Sequence, residues 1–78
     1  MAHFLYVRAH AAADAVAHAL DRDGWSTSLE ACDDSSWLVV ATQIRALTPE
    51  LVRETRRRLE ALAARHGGVY DGWEARAG

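Results

Sequence analysis

The chain has 78 residues, of which 50% are hydrophobic and 26% charged, and a formal net charge of −2. That length supports one domain with one core, burying about 60–65% of the surface its unfolded state exposes, and the balance excludes a disordered, collagenous or membrane chain. No apolar run approaches the roughly 18 residues of a membrane span, and the opening MAHFLYVRAH lacks the pattern of a secretory leader, so a cytoplasmic protein is expected.

From His3 to Ala9, Phe4 and Tyr6 alternate with Leu5 and Val7, the aromatic and β-branched enrichment of a strand with two apolar faces. Between about Ala11 and Arg22, Ala13, Val16, Ala17 and Leu20 recur at helical spacing, with Asp14, His18, Asp21 and Arg22 turned outward and Gly24 as the stop. Trp25, Thr27, Leu29 and Ala31 then alternate with Ser26, Ser28 and Glu30, the period of a strand with one buried face. Asp33 to Ser36 is turn chemistry, because Asp and Ser side chains bond their own backbone. Trp37 to Ile44 is apolar on both sides for most of its length, as a central strand requires.

Thr48, Pro49 and Glu50 open a second helix: a capping hydroxyl, a proline where no N–H is needed, and an acid at the positive end of the helix dipole. Its inward stripe is Leu51, Thr55, Leu59, Leu62 and His66, flanked by Val52 and Ala63, and Gly67 and Gly68 end it. Val69 to Ala75 reads as a fourth strand. Two strand–helix–strand crossovers flanking one hairpin build an α+β, ferredoxin-like fold. It has a four-stranded antiparallel sheet, strands one and three central, and both helices on one face.

The candidate chemistry is thin. Cys32 is alone, which excludes an internal disulfide and a cysteine-built zinc site. His10, Asp14 and His18 share a helical face at metal-ligand spacing but lie on its polar side without a fourth ligand, and they read as solvated surface. His66 reads as a packed residue near the last helical carbonyls. Ser35 and Ser36 lack a histidine and an oxyanion turn. Asp71 and Glu74 fall on opposite faces of a strand unless a bulge intervenes. In Arg53 to Glu60 the pairs Glu50–Arg53, Glu54–Arg57, Glu54–Arg58 and Arg56–Glu60 fall at helical contact spacing, so this face is expected to neutralise itself. No enzyme and no cofactor or metal is expected.

Aromatic residues are the remaining signal. With both helices on one side, apolar side chains on the other face need a partner. Homodimerisation through that face is one reading, and an aromatic surface for a peptide or for bases is another. Direct nucleic-acid binding is disfavoured by the net charge and by the lack of a glycine–aromatic motif with basic flanks in strand three. Gly72 marks a bulge or a close backbone approach, and which it is decides the side Trp73 faces.

Gly24–Trp25, WLVVAT from Trp37, TPELV from Thr48, LEALAARHGG from Leu59 and YDGWEA from Tyr70 together resemble the regulator of ribonuclease activity B (RraB) family along about the whole chain. The element HGGVYDGWEA, from His66, is the most specific part. The resemblance implies a ferredoxin-like fold, here a minimal version over residues 1–78. It also implies a non-catalytic protein that binds ribonuclease E, or a related RNA-decay enzyme, outside the catalytic core and restrains RNA cleavage. The residues assigned to the contact are Tyr70, Asp71, Trp73 and Glu74, with Phe4, Tyr6 and Trp37 as the neighbouring aromatic patch.

Overall fold

The structure, a computed structural model, describes residues 1–44 and 48–74. The elements run β1 (Ala2–Val7), α1 (His10–Arg22), β2 (Ser26–Ala31), β3 (Trp37–Thr42), α2 (Pro49–Arg65) and β4 (Val69–Glu74). All sheet pairings are antiparallel, in the spatial order β2-β3-β1-β4. This is the α+β order expected from the sequence, with β1 and β3 inside and β2 and β4 at the edges. Boundaries shift slightly. β1 is Ala2–Val7 rather than His3 to Ala9, and α1 begins at His10. β3 ends at Thr42, the last residue opposite Ala2 and Ser26, so Ile44 leaves the sheet and is 99% exposed. Ala75, expected at the end of the fourth strand, lies outside the described residues.

The core lies between the sheet and the helices. Leu5 and Val7 of β1 and Val39 and Ala41 of β3 pack against Ala13, Val16 and Leu20 of α1 and Leu59 and Ala63 of α2. The helical stripes are those the 3.6-residue period predicts: Ala13, Val16, Ala17 and Leu20 in α1, and Thr55, Leu59 and Ala63 in α2 with Leu51, Val52, Leu62 and His66 half-buried. Among the described residues, no helix is long and apolar enough to cross a membrane.

Both helices end in the same way, and each ending sets up an edge strand. In α1 the N–H groups of Gly24 and Trp25 reach back to the carbonyls of Asp21 and Leu20, and in α2 those of Gly67 and Gly68 reach Ala64 and Ala63. These are Schellman caps, which need a left-handed residue just past the helix; Gly24 and Gly67 supply it at φ +87° and +73°. Gly68 has a different reason to be glycine. A Cβ there would sit 2.2 Å from the Tyr6 carbonyl oxygen, so only a bare backbone lets β4 start this close to β1. At the other end of α2 the Leu51 N–H donates to Thr48 Oγ1 at 3.1 Å, with Pro49 at the first helical position.

The turn at Asp33 to Ser36 is held by Asp34, whose Oδ1 accepts from the Ser36 N–H (3.1 Å) and hydroxyl (2.5 Å). These bonds hold the Asp34 carboxyl below the usual carboxylate range. On α2, Arg56 pairs with Glu60 as expected, but Arg58 reaches across to Asp23 beyond the end of α1 instead of to Glu54. A contact that ties the two helix ends has replaced one within a helix.

Candidate functional site

Register places every strand residue on one of two faces. On the side away from the helices, three rows cross the sheet in the order β2, β3, β1, β4: Ser26, Thr42, Ala2, Glu74; then Ser28, Val40, Phe4, Gly72; then Glu30, Leu38, Tyr6, Val69. Among the described residues no helix or further strand covers this face, although Ala2 on it is fully buried. Its centre is apolar, with Phe4, Tyr6, Leu38 and Val40 half-buried by one another and Val69 66% exposed. Its flanks are small residues, and carboxylates stand at two diagonally opposite corners.

The helix-covered side carries the other aromatics. The β1–β4 register slips between Phe4 and Leu5, so Tyr70 opposes Leu5 while Gly72 opposes Phe4, and Asp71 is the extra residue of a bulge. Gly72 absorbs the bend at φ +112°. Counting back from Tyr70 without the slip would set Trp73 against Ala2, on the open face. With it, Trp73 opposes His3 and joins Tyr70 on the covered face, three residues away, while Glu74 moves to the open face beside Ala2. The question that Gly72 poses in the sequence is answered by this bulge.

These rings close around one residue that the sequence reading passed over. His3 is fully buried, with Trp25 edge-on at 5.4 Å and Tyr70 and Trp73 tilted against it at 5.8 and 6.3 Å between ring centroids. Its Nδ1 lies 2.7 Å from the Tyr70 hydroxyl, and its Nε2 has no partner among the described residues. Burial, reinforced by the positive amino group of Met1, pushes the His3 pKa down to about 4, so the ring is neutral at pH 7. Burial also raises the Tyr70 phenol, which stays protonated. A signal for His3 was available: it stands two and four residues before Leu5 and Val7, hence on the buried face.

A groove of about 510 Å³ between α1 and α2 is lined by Leu20, Trp25, Leu59, Leu62, Arg58 and Arg65, and a depression of about 440 Å³ by Arg56, Glu60, Tyr70, Asp71, Gly72 and Trp73. His3 reaches neither, because its aromatic neighbours form those walls. A fully buried, neutral imidazole with no route to a substrate serves packing rather than proton transfer.

The residues singled out from sequence therefore divide between two surfaces. Phe4, Tyr6 and Glu74 lie on the open face. Tyr70 and Trp73 lie behind it with His3, Trp73 remaining 38% exposed at the sheet edge. Asp71 lines the depression beside α2, so the bulge does not bring it together with Glu74. Trp37 faces the helices opposite Val7, with the His10 ring edge-on at 4.7 Å. The histidine that sequence spacing offers as a metal ligand is thus an aromatic contact, and among the described residues no group of three or more His, Cys, Asp or Glu could hold a metal ion.

A family model described as regulator of ribonuclease activity B matches residues 1–75. Neither a curated protein nor a solved structure matches the chain.

Proposed function

The chain belongs to the regulator of ribonuclease activity B family, and on that footing we propose a non-catalytic protein that binds ribonuclease E outside its catalytic core and restrains RNA decay in the cytoplasm. The observation that carries the protein-contact part is the uncovered sheet face. Phe4, Tyr6, Leu38, Val40 and Val69 form a contiguous apolar surface of the kind that marks an interaction site on a small domain. Glu74 borders this surface, and Tyr70, Trp73 and Trp37 stiffen it from behind, with Asp71 fixing the register. The chain acts without a cofactor and without direct contact to nucleic acid.

The test is capture by the tagged protein of the host's ribonuclease E, intact and with its non-catalytic region deleted. Retention of the intact enzyme and loss of the deleted form is the expected result. Failure to retain either form at modest salt overturns the proposal.

A further inference from the structure

The sheet has two edges, and they are finished differently. At β4 the Asp71 bulge and Gly72 at φ +112° break the ladder, a common way for a protein to keep an edge from pairing further. At β2 the register against β3 runs unbroken from Ser26↔Thr42 to Ala31↔Trp37, and the strand has no proline, lysine or arginine. Backbone bonds beyond the two ends of this ladder fix which groups of β2 are left over. The Cys32 N–H donates to the Ser36 carbonyl at 2.9 Å, and the Gln43 N–H to the Met1 carbonyl at 3.1 Å. Hydrogen-bonded pairs alternate in an antiparallel ladder. Ser26, Ser28 and Glu30 therefore bond to β3, while Thr27, Leu29 and Ala31 direct their N–H and C=O groups away from the sheet. This row of donors and acceptors is a template for one more strand.

The charges beside this edge are acidic. Thr27 Oγ1 donates to Asp21 Oδ1 at 2.9 Å, which places Asp21 of α1 over β2. The opposite flank of α1, with Ala19 and Asp23, lines the groove toward α2. Asp14, two turns before Asp21, shares its flank about 10.5 Å away. Because α1 runs against β2, that displacement leads toward Ala31, about 13 Å from Thr27. On the other side of the strand Glu30 is exposed. Asp14 and Glu30 have no ion pair among the described residues, and Arg22, the one arginine of α1, stands about 100° round the helix from Asp21.

These features choose the occupant. A helix keeps its backbone bonds to itself and leaves the outward groups of β2 unmet. A second copy pairing antiparallel through β2 sets the two α1 helices side by side, Asp14 and Asp21 of one against those of the other, and like charges so placed repel. An extended segment carrying cations meets both requirements: its main chain completes the ladder and supplies affinity, and its side chains answer the carboxylates. We propose that β2 accepts an extended segment of a partner protein as a fifth strand, with basic side chains on its helix side near Asp21 and Asp14 and an apolar one between them beside Leu29. This rests on the reading that the protein acts by protein contact. It adds the mode of that contact and the chemistry of the partner, at an edge where the new strand continues the open face past Glu30.

The probe is a seven-residue peptide with threonine at odd positions, arginine at the second and sixth and valine at the fourth, titrated into the ¹⁵N-labelled full chain. Its pattern is the same read in either direction. Amide shifts centred on β2 are expected, and with peptide at ten times its Kd hydrogen exchange at Thr27, Leu29 and Ala31 should slow by about tenfold. Glutamate in place of both arginines should weaken binding roughly tenfold at low salt, and less as salt screens the carboxylates. An Asp14→Asn, Asp21→Asn variant, whose amides keep the size and can still accept from Thr27, should erase that preference. Methylating the valine nitrogen, which faces β2, should abolish binding, and methylating a neighbouring threonine nitrogen, which faces solvent, should not. Absence of shifts at millimolar peptide, shifts confined to α2 or β4, equal binding of both charge forms, or indifference to the methylated position overturns the inference. So does exchange at those three amides that slows with protein concentration alone, since a second copy would then hold the edge. Ala31→Pro removes an outward N–H without touching the ladder to β3. Undiminished retention of ribonuclease E by this variant and by the Asp14→Asn, Asp21→Asn variant would overturn the placement while leaving the proposed function standing. Failure of the unmodified chain to retain ribonuclease E, with the peptide result intact, would do the reverse.

Discussion

The two faces of this sheet are built from the same six-residue strands and do opposite work. On the covered face, His3, Leu5, Val7, Val39 and Ala41 are at most 1% exposed, and on the open face Phe4, Tyr6, Leu38 and Val40 are only half-buried. Neighbouring residues one peptide bond apart therefore meet different physics: one side answers to packing density, the other does not. A substitution's effect on folding should track the face it sits on, and its effect on partner binding should track the other.

The largest difference is expected at Leu5, the largest fully buried side chain. Leu5→Ala leaves a cavity between β1 and the helices and should cost about 2–5 kcal/mol. A domain this small has a total stability of only about 4–12 kcal/mol. Urea unfolding should show the midpoint collapse, whereas Tyr6→Ser on the adjacent open-face position should lose about 1 kcal/mol. Equal losses at the two positions would break the two-face description.

His3 gives the covered face a pH dependence. Its pKa is about 4 folded against 6.5 unfolded, so the unfolded chain takes up the proton first as pH falls. The stabilisation is complete above pH 6.5, declines through the interval, and is lost below pH 4, amounting to about 3 kcal/mol. Urea midpoints measured across that window should fall steadily, and His3→Phe should flatten the slope. The Asp34 carboxyl, held down by Ser36, acts only below its ordinary value near 3.8, so the two windows separate.

The bulge is the joint between the two faces. Gly72 sits at φ +112° with open space where a Cβ would go, so Gly72→Ala meets no clash and should cost about 1–2 kcal/mol through backbone strain alone. Deleting Asp71 removes the extra residue and leaves Tyr70, Gly72 and Trp73 opposite Leu5, Phe4 and His3 in an unbroken ladder, so Trp73 should stay on the covered face. Unchanged tryptophan emission and ring-current shifts on His3 are expected, and red-shifted emission with loss of those shifts would refute the assigned register.

Sequence periodicity reached the fold because its signals are local. The helical stripes, the Thr48–Pro49 cap and the glycine stops each depend on residues within one or two turns. Strand order followed from the rule that crossovers must pass over one face. The site was less legible, for a physical reason. Which side Trp73 faces depends on a one-residue slip against β1, a strand whose His3 lies 67 positions before Tyr70. Gly72 signalled that something happens there without saying what. His3 was overlooked because a histidine at a strand start carries no local motif; only its alternation with Leu5 and Val7 betrays its burial. Arg58 reached Asp23 rather than Glu54 because side-chain partners across elements have no sequence spacing.

The smallest stability effect should come from Glu30, and it is the most discriminating. Glu30 is exposed on edge strand β2, opposite Leu38, and has no ion pair among the described residues. Reversing its charge breaks no packing and should change stability by no more than about 0.5 kcal/mol. If the open face serves only to complete the fold, Glu30→Lys should leave partner retention unchanged as well. If that face is where a partner docks, the same substitution should weaken retention several-fold at low salt, and raised ionic strength should shrink the difference between variant and parent. A loss of stability matching the loss of retention would mean that the two faces are not separable, and the comparison on which the functional reading depends would fail with it.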